Sequence, residues 1–561
     1  MRERSWWGWG YDGEGLADAE LDALARTVSA RFALDGGRAV PPEPSELGLG
    51  APRLEAPPAL APIADAGPRT RAAHSLGGSY RDVVRALRGQ IDHPPDVVVF
   101  PRDAAEVAAV LDWCSSAGAA VIPYGGGSSV VGGVEPDVGE GYAGVVSLDT
   151  TALRGVVEVD AVSRAARIRA GTLGPDLEDG LRPHGLTLRH FPQSFECSTL
   201  GGWIATRAGG HFATGPTHID DLVESMEVVT PAGTVQTRRL PASGAGPSPD
   251  RLFLGSEGAL GVVTVAWMGV RPRPRWRAAA AARFSSFGAG SVAVRALAQS
   301  GLQPSNCRLV DPLEALVNGA GDGRAAVLLV AFESAEHPVD AWAASATECL
   351  AGVGGMLDAD PWAVSDDAAA PPGATGAWRR SFMRAPYLRD GLVRLGVLCE
   401  TFETAVTWDR FDELHHAVNA AVRDALAAVG AGEGAVTCRL THAYPDGAAP
   451  YFTVLAPARR GDELAQWATV KEAATDALLG AGGTVTHHHA VGRDHRPFYD
   501  RQRPALFAQA LGAAKRALDP AGVLNPGVLV DGAGPGPAPP GAPPGVAWGQ
   551  GRSDGPAPEG T

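Results

Sequence analysis

The sequence predicts an α+β protein with more than one folded domain. With 561 residues the chain can form two or more hydrophobic cores, and 45% of its residues are hydrophobic, which is typical of globular proteins. Short valine-rich segments alternate with helical patterns and glycine turns up to about residue 272. Beyond "RPRPRW", longer amphipathic segments alternate with strands, which indicates a second domain.

Residues 1–90 form a predicted N-terminal arm. Stretches such as "PPEPSELGLGAPRLEAPPALAP" are rich in proline, and only a short helical pattern accompanies them. We therefore expect this arm to pack onto a larger body instead of forming a core of its own.

The clearest local signals follow directly after the arm. "DVVVF" predicts a short buried strand, and Asp103 with Glu106 has the spacing of a capping box, in which the two side chains satisfy free N–H groups of the first helical turn. Helical spacing continues to Gly118, which ends the helix. "AAVIP" predicts a second strand that runs straight into the glycine loop "YGGGSSV".

The other domain boundaries follow from changes in composition. Residues 91–272 are predicted to form one α+β domain, residues 273–470 a second, and residues 471–530 a largely helical segment that returns to the first. Residues 531–561 are rich in glycine and proline and cannot bury enough apolar surface to offset the entropy of ordering, so we expect a disordered tail.

Charge and composition argue against several classes of protein. The net charge of −15 without a basic cluster argues against nucleic-acid binding and against a polybasic membrane patch. Neither a signal-peptide pattern nor an apolar run of about 18 residues is visible. The six cysteines are widely scattered, which favours reduced and mostly buried thiols. We therefore expect a cytosolic protein.

The glycine loop "PYGGGSSV" has a composition that suits an anion. It lacks the Lys-Ser/Thr pair of a P-loop and does not fit GxGxxG. Three glycines followed by Ser128 and Ser129 could nevertheless bring N–H and hydroxyl donors round a pyrophosphate, although a plain turn explains the loop equally well. Three further segments change this balance: "GTLGPDLEDGL", "PQSFECSTLGGWIATRAGG" and "GSEGALGVVT".

In this order and spacing the four segments resemble the vanillyl-alcohol-oxidase type of FAD-binding fold. The resemblance implies a FAD-binding domain of two subdomains and an α+β cap domain that binds the substrate. Ser128 stands where some members attach the flavin through a histidine, so we expect non-covalent FAD. The cofactor-binding residues implied by the resemblance are Pro123, Tyr124, Gly125, Gly126, Gly127, Ser128, Ser129, His190, Gln193, Ser194, Phe195, Glu196, Cys197, Ser198, Thr199, Thr206, Arg207, Ala208, Gly209, Glu257, Gly258, Ala259, Leu260, Gly261, Val262 and Val263.

Further motifs narrow the family. "SWWGWGYDGEG", "SNCRLVDP", "YLRD", "ETFETAVTWDR", "TCRLTHAYPDGAAPYFTV" and "THHHAVG" resemble the alkyldihydroxyacetonephosphate synthases of ether-lipid synthesis. In that family the flavin N5 attacks C1 of acyl-dihydroxyacetone phosphate, the fatty acid leaves, and a fatty alcohol replaces it without net redox change. The resemblance thus implies a lipid-like phosphate ester and a fatty alcohol as substrates. Peripheral membrane contact and a homodimer are compatible with this interpretation.

The proton-shuttling tyrosine of the family matches Tyr451. On a strand, Tyr451 and Thr453 would share the face towards the flavin while Phe452 points into the core. Without the family, a single tyrosine on a strand is more often a packing residue, so this assignment depends on the resemblance.

Two arginines match anion-binding residues of the family. Arg389 corresponds to a substrate-binding arginine and Arg308 to one required for activity, and guanidinium groups suit phosphate oxygens because they offer fixed, bidentate donors. An ion pair with the nearby Asp390 or Asp311 is the alternative explanation for each.

The triplet His487, His488 and His489 raises the question of a metal. On a strand these side chains would alternate between faces, so one ion could hardly bind all three, although His442 or His495 could complete a pair. FAD-dependent 2-hydroxy-acid dehydrogenases of this fold bind a metal through a "GNxHxN" strand and an "EHGxG" turn, and the corresponding "GAAPYFTV" and "HHAVG" lack those ligands.

We therefore predict no metal and expect the histidines to surround the substrate and tune the tyrosine, with His488 facing the flavin. A 2-hydroxy-acid dehydrogenase stays the alternative function. A catalytically silent flavin-binding protein is a third hypothesis.

Overall fold

The structure is a computed structural model that describes residues 3–32, 34, 37–212, 214–358, 361–364 and 373–531. Apart from Asp531, the predicted disordered tail lies outside the described residues. The helices are α1 (Asp18–Phe32), α2 (Pro68–Ala73), α3 (Tyr80–Leu87), α4 (Ala104–Ala117), α5 (Gly174–Leu181), α6 (Leu200–Thr206), α7 (Asp250–Phe253), α8 (Phe287–Gln299), α9 (Pro312–Val317), α10 (Asp340–Gly352), α11 (Gly373–Arg394), α12 (Phe411–Ala428), α13 (Glu463–Gly480), α14 (Arg496–Gln502) and α15 (Ala505–Leu518).

The strands are mostly short in the first half of the chain and longer in the second. They are β1 (Ala64–Asp65), β2 (Val97–Val99), β3 (Ala120–Tyr124), β4 (Val145–Asp149), β5 (Val156–Asp160), β6 (Ala165–Arg169), β7 (Leu186–Thr187), β8 (Val223–Thr230), β9 (Gly233–Gln236), β10 (Val262–Gly269), β11 (Arg271–Pro272), β12 (Trp276–Phe284), β13 (Asn306–Val310), β14 (Ala326–Ser334), β15 (Ala363–Val364), β16 (Val397–Glu403), β17 (Val406–Thr407), β18 (Ala435–Ala443) and β19 (Gly447–Pro457).

Two sheets organise the first half of the chain. The first has the order β1-β2-β4-β3, in which β2, β4 and β3 are parallel and β1 is an antiparallel edge strand. The second is antiparallel with the order β5-β6-β10-β8-β9. Each sheet has its own buried apolar cluster, so this half consists of two subdomains.

The helix α4 between β2 and β3 is capped at both ends. Asp103 accepts the Glu106 N–H at 2.9 Å, and Gly118 ends the helix with a φ of +65°. The second half of the predicted capping box is wrong, because the Glu106 carboxylate accepts the Arg102 N–H at 2.7 Å instead of reaching back to residue 103. The strand–helix–strand unit therefore delivers β3 directly into the glycine loop.

The second half of the chain is built on one large antiparallel sheet. Its order is β15-β12-β14-β13-β18-β19-β16, with β17 paired to β19, and β12 begins at Trp276, just after the predicted boundary. One face of this sheet is core: Phe402 and Phe452 are buried and stack with ring centroids 5.2 Å apart. The other face turns towards the glycine loops.

The C-terminal segment contacts the first sheet. Val121 forms a parallel bridge with Leu524, and the buried Lys515 ammonium donates to the carbonyl of Ala259 at 2.7 Å. All six cysteines are free, and five of them are buried, as the composition predicts. Within the described ranges, no helix combines the length and apolarity required to cross a bilayer.

Candidate active site

A cavity of about 330 Å³, open to solvent, lies between the glycine loops and the large sheet. One wall consists of loops from the first half of the chain, and the other consists of side chains on β13, β16, β18 and β19. Trp9, from the N-terminal arm, also lines the cavity, and its backbone N–H donates to Asp390 at 2.6 Å. The arm is therefore part of the site.

The glycine loop packs so closely on its neighbours that side chains larger than glycine would not fit. A Cβ at Gly126 would lie 1.8 Å from the Cys197 carbonyl oxygen, and Gly127 has a φ of +68°, a backbone conformation that favours glycine. Within the described chain, the N–H groups of Gly126, Gly127 and Ser128 have no acceptor. Free N–H groups on a closely packed turn suit an anion, so this loop fits a pyrophosphate.

About half of the predicted cofactor-binding residues line this cavity. Those that do are Gly125, Gly126, Gly127, Ser128, Ser129, Gln193, Ser194, Ser198, Thr199, Thr206, Ala208 and Gly209. The others lie beside or behind the lining; they are Pro123, Tyr124, His190, Phe195, Glu196, Cys197, Arg207 and residues 257–263.

The residues behind the lining have other contacts. His190 is buried with its ring 5.2 Å from that of Trp203, and Glu196 is exposed. Arg207 pairs with Asp220 at 2.7 Å. The buried Glu257 carboxylate accepts the N–H groups of Val491 and Gly492, both at 2.8 Å, so it joins the first half of the chain to the loop that follows the histidines.

Three side chains on adjacent strands form a row below the cavity, and two of them, Tyr451 and Arg439, line it. In the register of the sheet, Tyr451 lies directly opposite Glu403 of β16 and Arg439 of β18, so all three point to the same face. Thr453 also lines the cavity while Phe452 is fully buried in the core, which is the alternation that a strand predicts.

Tyr451 is buried next to charged side chains. The Arg439 guanidinium lies 3.8 Å from the centroid of the tyrosine ring and pairs with Glu314 at 2.6 Å. Burial raises the pKa of Tyr451 above its ordinary value, and the positive charge of Arg439 opposes this shift. The phenol is therefore neutral at rest, next to a cation that would stabilise its anion.

The histidine triplet lies on a loop between α13 and α14, so the assumption of a strand with alternating side chains is wrong. The fully buried Glu403 carboxylate holds this loop. It accepts the N–H groups of His487, His488 and His489 at 2.6, 3.0 and 2.9 Å, and the hydroxyl of Thr486 at 2.5 Å. Three consecutive N–H groups on one carboxylate require a curved backbone, which a strand does not provide.

The curved loop directs the three imidazoles differently. His488 and His489 line the cavity, with ring centroids 6.2 and 5.5 Å from that of Tyr451. His487 is turned away from the cavity, and its Nε2 lies 2.7 Å from the Tyr444 hydroxyl. Burial lowers the pKa of His488 to about 3 despite the neighbouring Glu403, so this imidazole is neutral at physiological pH.

Glu403 itself stays ionised. Burial opposes its charge, but the hydrogen bonds from the Thr486 hydroxyl and from three backbone N–H groups favour the carboxylate, and the pKa of Glu403 lies well below its usual range.

Both predicted arginines line the cavity. Arg389 also forms the ion pair with Asp390, at 2.7 Å, that its sequence position suggests. Asp311 does not serve as the counter-ion of Arg308, because its carboxylate accepts the N–H groups of Glu314 and Cys438 at 2.8 and 2.5 Å. Burial and the nearby Arg439 lower the pKa of Arg308 to about 9.

Several residues of the site are missing from the sequence prediction, namely Trp9, Glu314, Glu403 and Arg439, and the prediction names His442 only as a possible partner in a metal-binding pair. For two of these residues, the alternation of side chains along a strand could have indicated that they face the cavity. Glu403 and Arg439 occupy alternate positions of "ETFE" and "CRLTH", on the same faces of their strands as neighbouring cavity residues, but only the strand order brings those faces together.

Comparisons with known proteins agree on the family and the cofactor. Residues 95–238 match the family described as FAD binding domain, and residues 273–529 match FAD linked oxidases, C-terminal domain. The alkyldihydroxyacetonephosphate synthase of Caenorhabditis elegans is 31% identical over 489 residues, which cover 82% of this chain and 80% of that protein.

Solved structures give the same result. A solved structure of alkyldihydroxyacetonephosphate synthase superposes with a TM-score of 0.76 at 25% identity, covering 93% of this chain and 98% of the other. p-Cresol methylhydroxylase, at 15% identity and a TM-score of 0.63 over 92% of this chain and 98% of that chain, shares the fold alone. The predicted fold class and the FAD cofactor are thus confirmed.

Proposed function

Because the chain belongs to the alkyldihydroxyacetonephosphate synthase family of FAD-binding enzymes, we propose that it exchanges the acyl chain of an acyl-dihydroxyacetone phosphate for a fatty alcohol. The product would be an ether-linked lipid precursor. The observation that carries this proposal is the buried row of Glu403, Tyr451 and Arg439, of which Tyr451 and Arg439 line the cavity beside the glycine loops.

FAD is expected to bind without a covalent bond. The glycine loop would hold its pyrophosphate through the free N–H groups of Gly126, Gly127 and Ser128. Ser128 offers no nucleophilic imidazole for covalent attachment. When bound, the flavin supplies the nucleophilic nitrogen that the exchange requires at C1 of the substrate.

Tyr451 would take and return a proton at C1. Its phenol is neutral at rest, and Arg439 at 3.8 Å from the ring would stabilise the phenolate while the proton is away. The neutral imidazoles of His488 and His489 can donate hydrogen bonds to the substrate without adding charge.

The lining of the cavity suits an anionic lipid. Three guanidinium groups, those of Arg308, Arg389 and Arg439, line it and can bind a phosphate. Apolar side chains cover another part of the wall and would accept the acyl and alkyl chains: Val317, Phe382, Ala385, Leu388, Leu392 and Leu455. A cytosolic location with peripheral access to membranes stays a prediction.

The decisive experiment replaces Tyr451 and follows both the flavin and the exchange. We expect Tyr451→Phe to keep FAD, seen in the visible spectrum, and to lose release of fatty acid from acyl-dihydroxyacetone phosphate by at least about 100-fold, a typical contribution of general acid–base catalysis. Tyr142→Phe is the control, because Tyr142 does not line the cavity and its hydroxyl donates to the Gly522 carbonyl at 2.8 Å.

Two results would contradict the proposal. Nearly full turnover by Tyr451→Phe would show that Tyr451 is not the proton carrier. Anaerobic bleaching of the flavin by a 2-hydroxy acid such as D-lactate, without response to acyl-dihydroxyacetone phosphate, would instead indicate a 2-hydroxy-acid dehydrogenase.

A further inference from the structure

A cluster of imidazoles lies at the edge of the cavity. His442, His487 and His488 each bring one ring nitrogen to within 4.8 Å of the others. His442 comes from β18 and the other two come from the loop held by Glu403. We propose that these three side chains bind a divalent transition-metal ion of the zinc class.

Hydrogen bonds at the outer side of the cluster fix the protons of His487. His218 Nδ1 lies 2.9 Å from the Arg207 carbonyl oxygen and must donate to it, which leaves a lone pair on His218 Nε2. That nitrogen faces His487 Nε2 at 3.1 Å. The Tyr444 hydroxyl oxygen also lies 2.7 Å from His487 Nε2 and can accept a hydrogen bond from it, while two facing lone pairs at 3.1 Å would repel. Both contacts suit a proton on His487 Nε2, which leaves the lone pair on its Nδ1.

On the inner side of the cluster, the Nδ1 atoms of His487 and His488 face each other, and a proton or a cation is needed between them. His487 Nδ1 lies 3.0 Å from His488 Nδ1, so either a proton on His488 or a metal ion between the two must separate the nitrogens. Two nitrogen ligands about 2.05 Å from a tetrahedral zinc ion are about 3.3 Å apart, close to the distance between these atoms.

His442 decides between the two alternatives. Its Nε2 lies 3.0 Å from the Gly210 carbonyl oxygen and donates to it, so the lone pair is on Nδ1. His442 is 3% exposed, and its Nδ1 has no hydrogen-bond partner in the described part of the chain. A proton on His488 would satisfy only His487, whereas a metal ion would satisfy the lone pairs of all three imidazoles.

The ligand set defines the class of ion. Three neutral imidazoles without a thiolate or carboxylate favour Zn²⁺ and its neighbours Co²⁺, Ni²⁺ and Cu²⁺ over Mg²⁺ or Ca²⁺. The Gly210 carbonyl and His218 orient two of the rings through their other nitrogens, as outer partners of metal-binding histidines do. Because His442 and His488 line the cavity, the fourth position of the ion would face it.

This site replaces the prediction of no metal, which depended on side chains that alternate along a strand and on the missing ligands of the 2-hydroxy-acid dehydrogenase motifs. It does not depend on the proposed exchange reaction, since the ion can be measured in the absence of any substrate. An open fourth position could polarise an oxygen atom of a ligand in the cavity.

The test uses the full-length, FAD-loaded protein dialysed against Zn²⁺ and then against metal-free buffer. Elemental analysis should find one zinc ion per chain, and Co²⁺ in its place should give visible absorption bands at longer wavelength than the flavin bands. His442→Gln and the half-buried His218→Gln should each weaken binding at least about 10-fold, the range for a lost ligand or outer partner. His416→Gln is the matched control, because His416 is exposed on α12.

The flavin spectrum of every variant reports whether the site is folded. Absence of stoichiometric zinc from the flavin-loaded wild-type protein would overturn the proposal. Zinc binding that His442→Gln and His218→Gln leave as tight as in His416→Gln would also overturn it, because the ion would then lie elsewhere.

Discussion

Glu403→Gln is the substitution that tests the histidine loop most directly. In the native protein Oε1 accepts Thr486, His488 and His489, while Oε2 accepts the His487 N–H at 2.6 Å. A glutamine can keep its oxygen on the side that makes three of these bonds. Its NH₂ group then faces the His487 N–H, so one charge-assisted bond is lost and a buried donor is left without an acceptor.

The expected cost follows from these contacts. A hydrogen bond to a charged group contributes about 1.5–3 kcal/mol, and an unsatisfied buried donor costs about 1–3 kcal/mol, so we expect a loss of about 3 kcal/mol in the free energy of unfolding. The folded-state pKa of Glu403 lies well below the ordinary value of 4.5, so its stabilisation is present above that pH and is lost as the pH falls through the folded-state pKa.

The assay combines urea unfolding with measurement of exchange. Glu403→Gln should keep FAD, unfold at lower urea, and lose at least about 10-fold in exchange rate, since displacement of a catalytic group by about 1 Å can cost 100-fold. Glu348→Gln, on the exposed surface of α10, is the control. If Glu403→Gln stays within about 0.5 kcal/mol of the wild type, the range of neutral surface substitutions, and keeps its activity, the carboxylate does not organise the loop.

Three further outcomes are expected. Gly126→Ala should yield protein with little FAD, because the added Cβ would lie 1.8 Å from the Cys197 carbonyl oxygen; a normal ratio of flavin to protein absorbance would show that the loop tolerates a side chain. Lys515→Met should destabilise the protein by about 3–5 kcal/mol in thermal unfolding because it leaves the buried carboxylate of Asp519, 2.6 Å from the ammonium, unpaired. Burial lowers the pKa of His415 to about 4, so the folded protein loses stability as the pH falls below 6.5, the ordinary histidine pKa. His415→Leu should therefore reduce the loss of unfolding free energy between pH 7 and pH 5 by about 2 kcal/mol. An unchanged loss in this substitution would refute the assignment.

Much of the fold could be predicted because its signals are local. The strand, capped helix and glycine loop around α4 depend on neighbouring residues, and the structure departs from the prediction there only in the partner of Glu106. The alternation of Tyr451, Phe452 and Thr453 between cavity and core is likewise a property of a single strand. Family motifs extended this local reasoning to FAD and to two arginines that line the cavity.

The histidine triplet shows where local reasoning ends. An isolated run of three histidines has no preferred curvature, so its sequence does not distinguish a strand from a curved loop. Its actual shape depends on Glu403, which lies 84 residues earlier than His487 and is placed below the loop by the pairing of β16 with β19. A carboxylate that binds three successive N–H groups is visible only when both segments are in place.

The sequence by itself determined the two-part α+β architecture, the FAD cofactor and the family, since each depends on patterns within short segments. Only the tertiary structure decided which side chains share the cavity floor. Strand order and register set Arg439 against Tyr451, and they brought His442 of β18 to His487 and His488 of a distant loop. Such contacts come from the packing of distant segments, and no spacing along the chain encodes the distance between them.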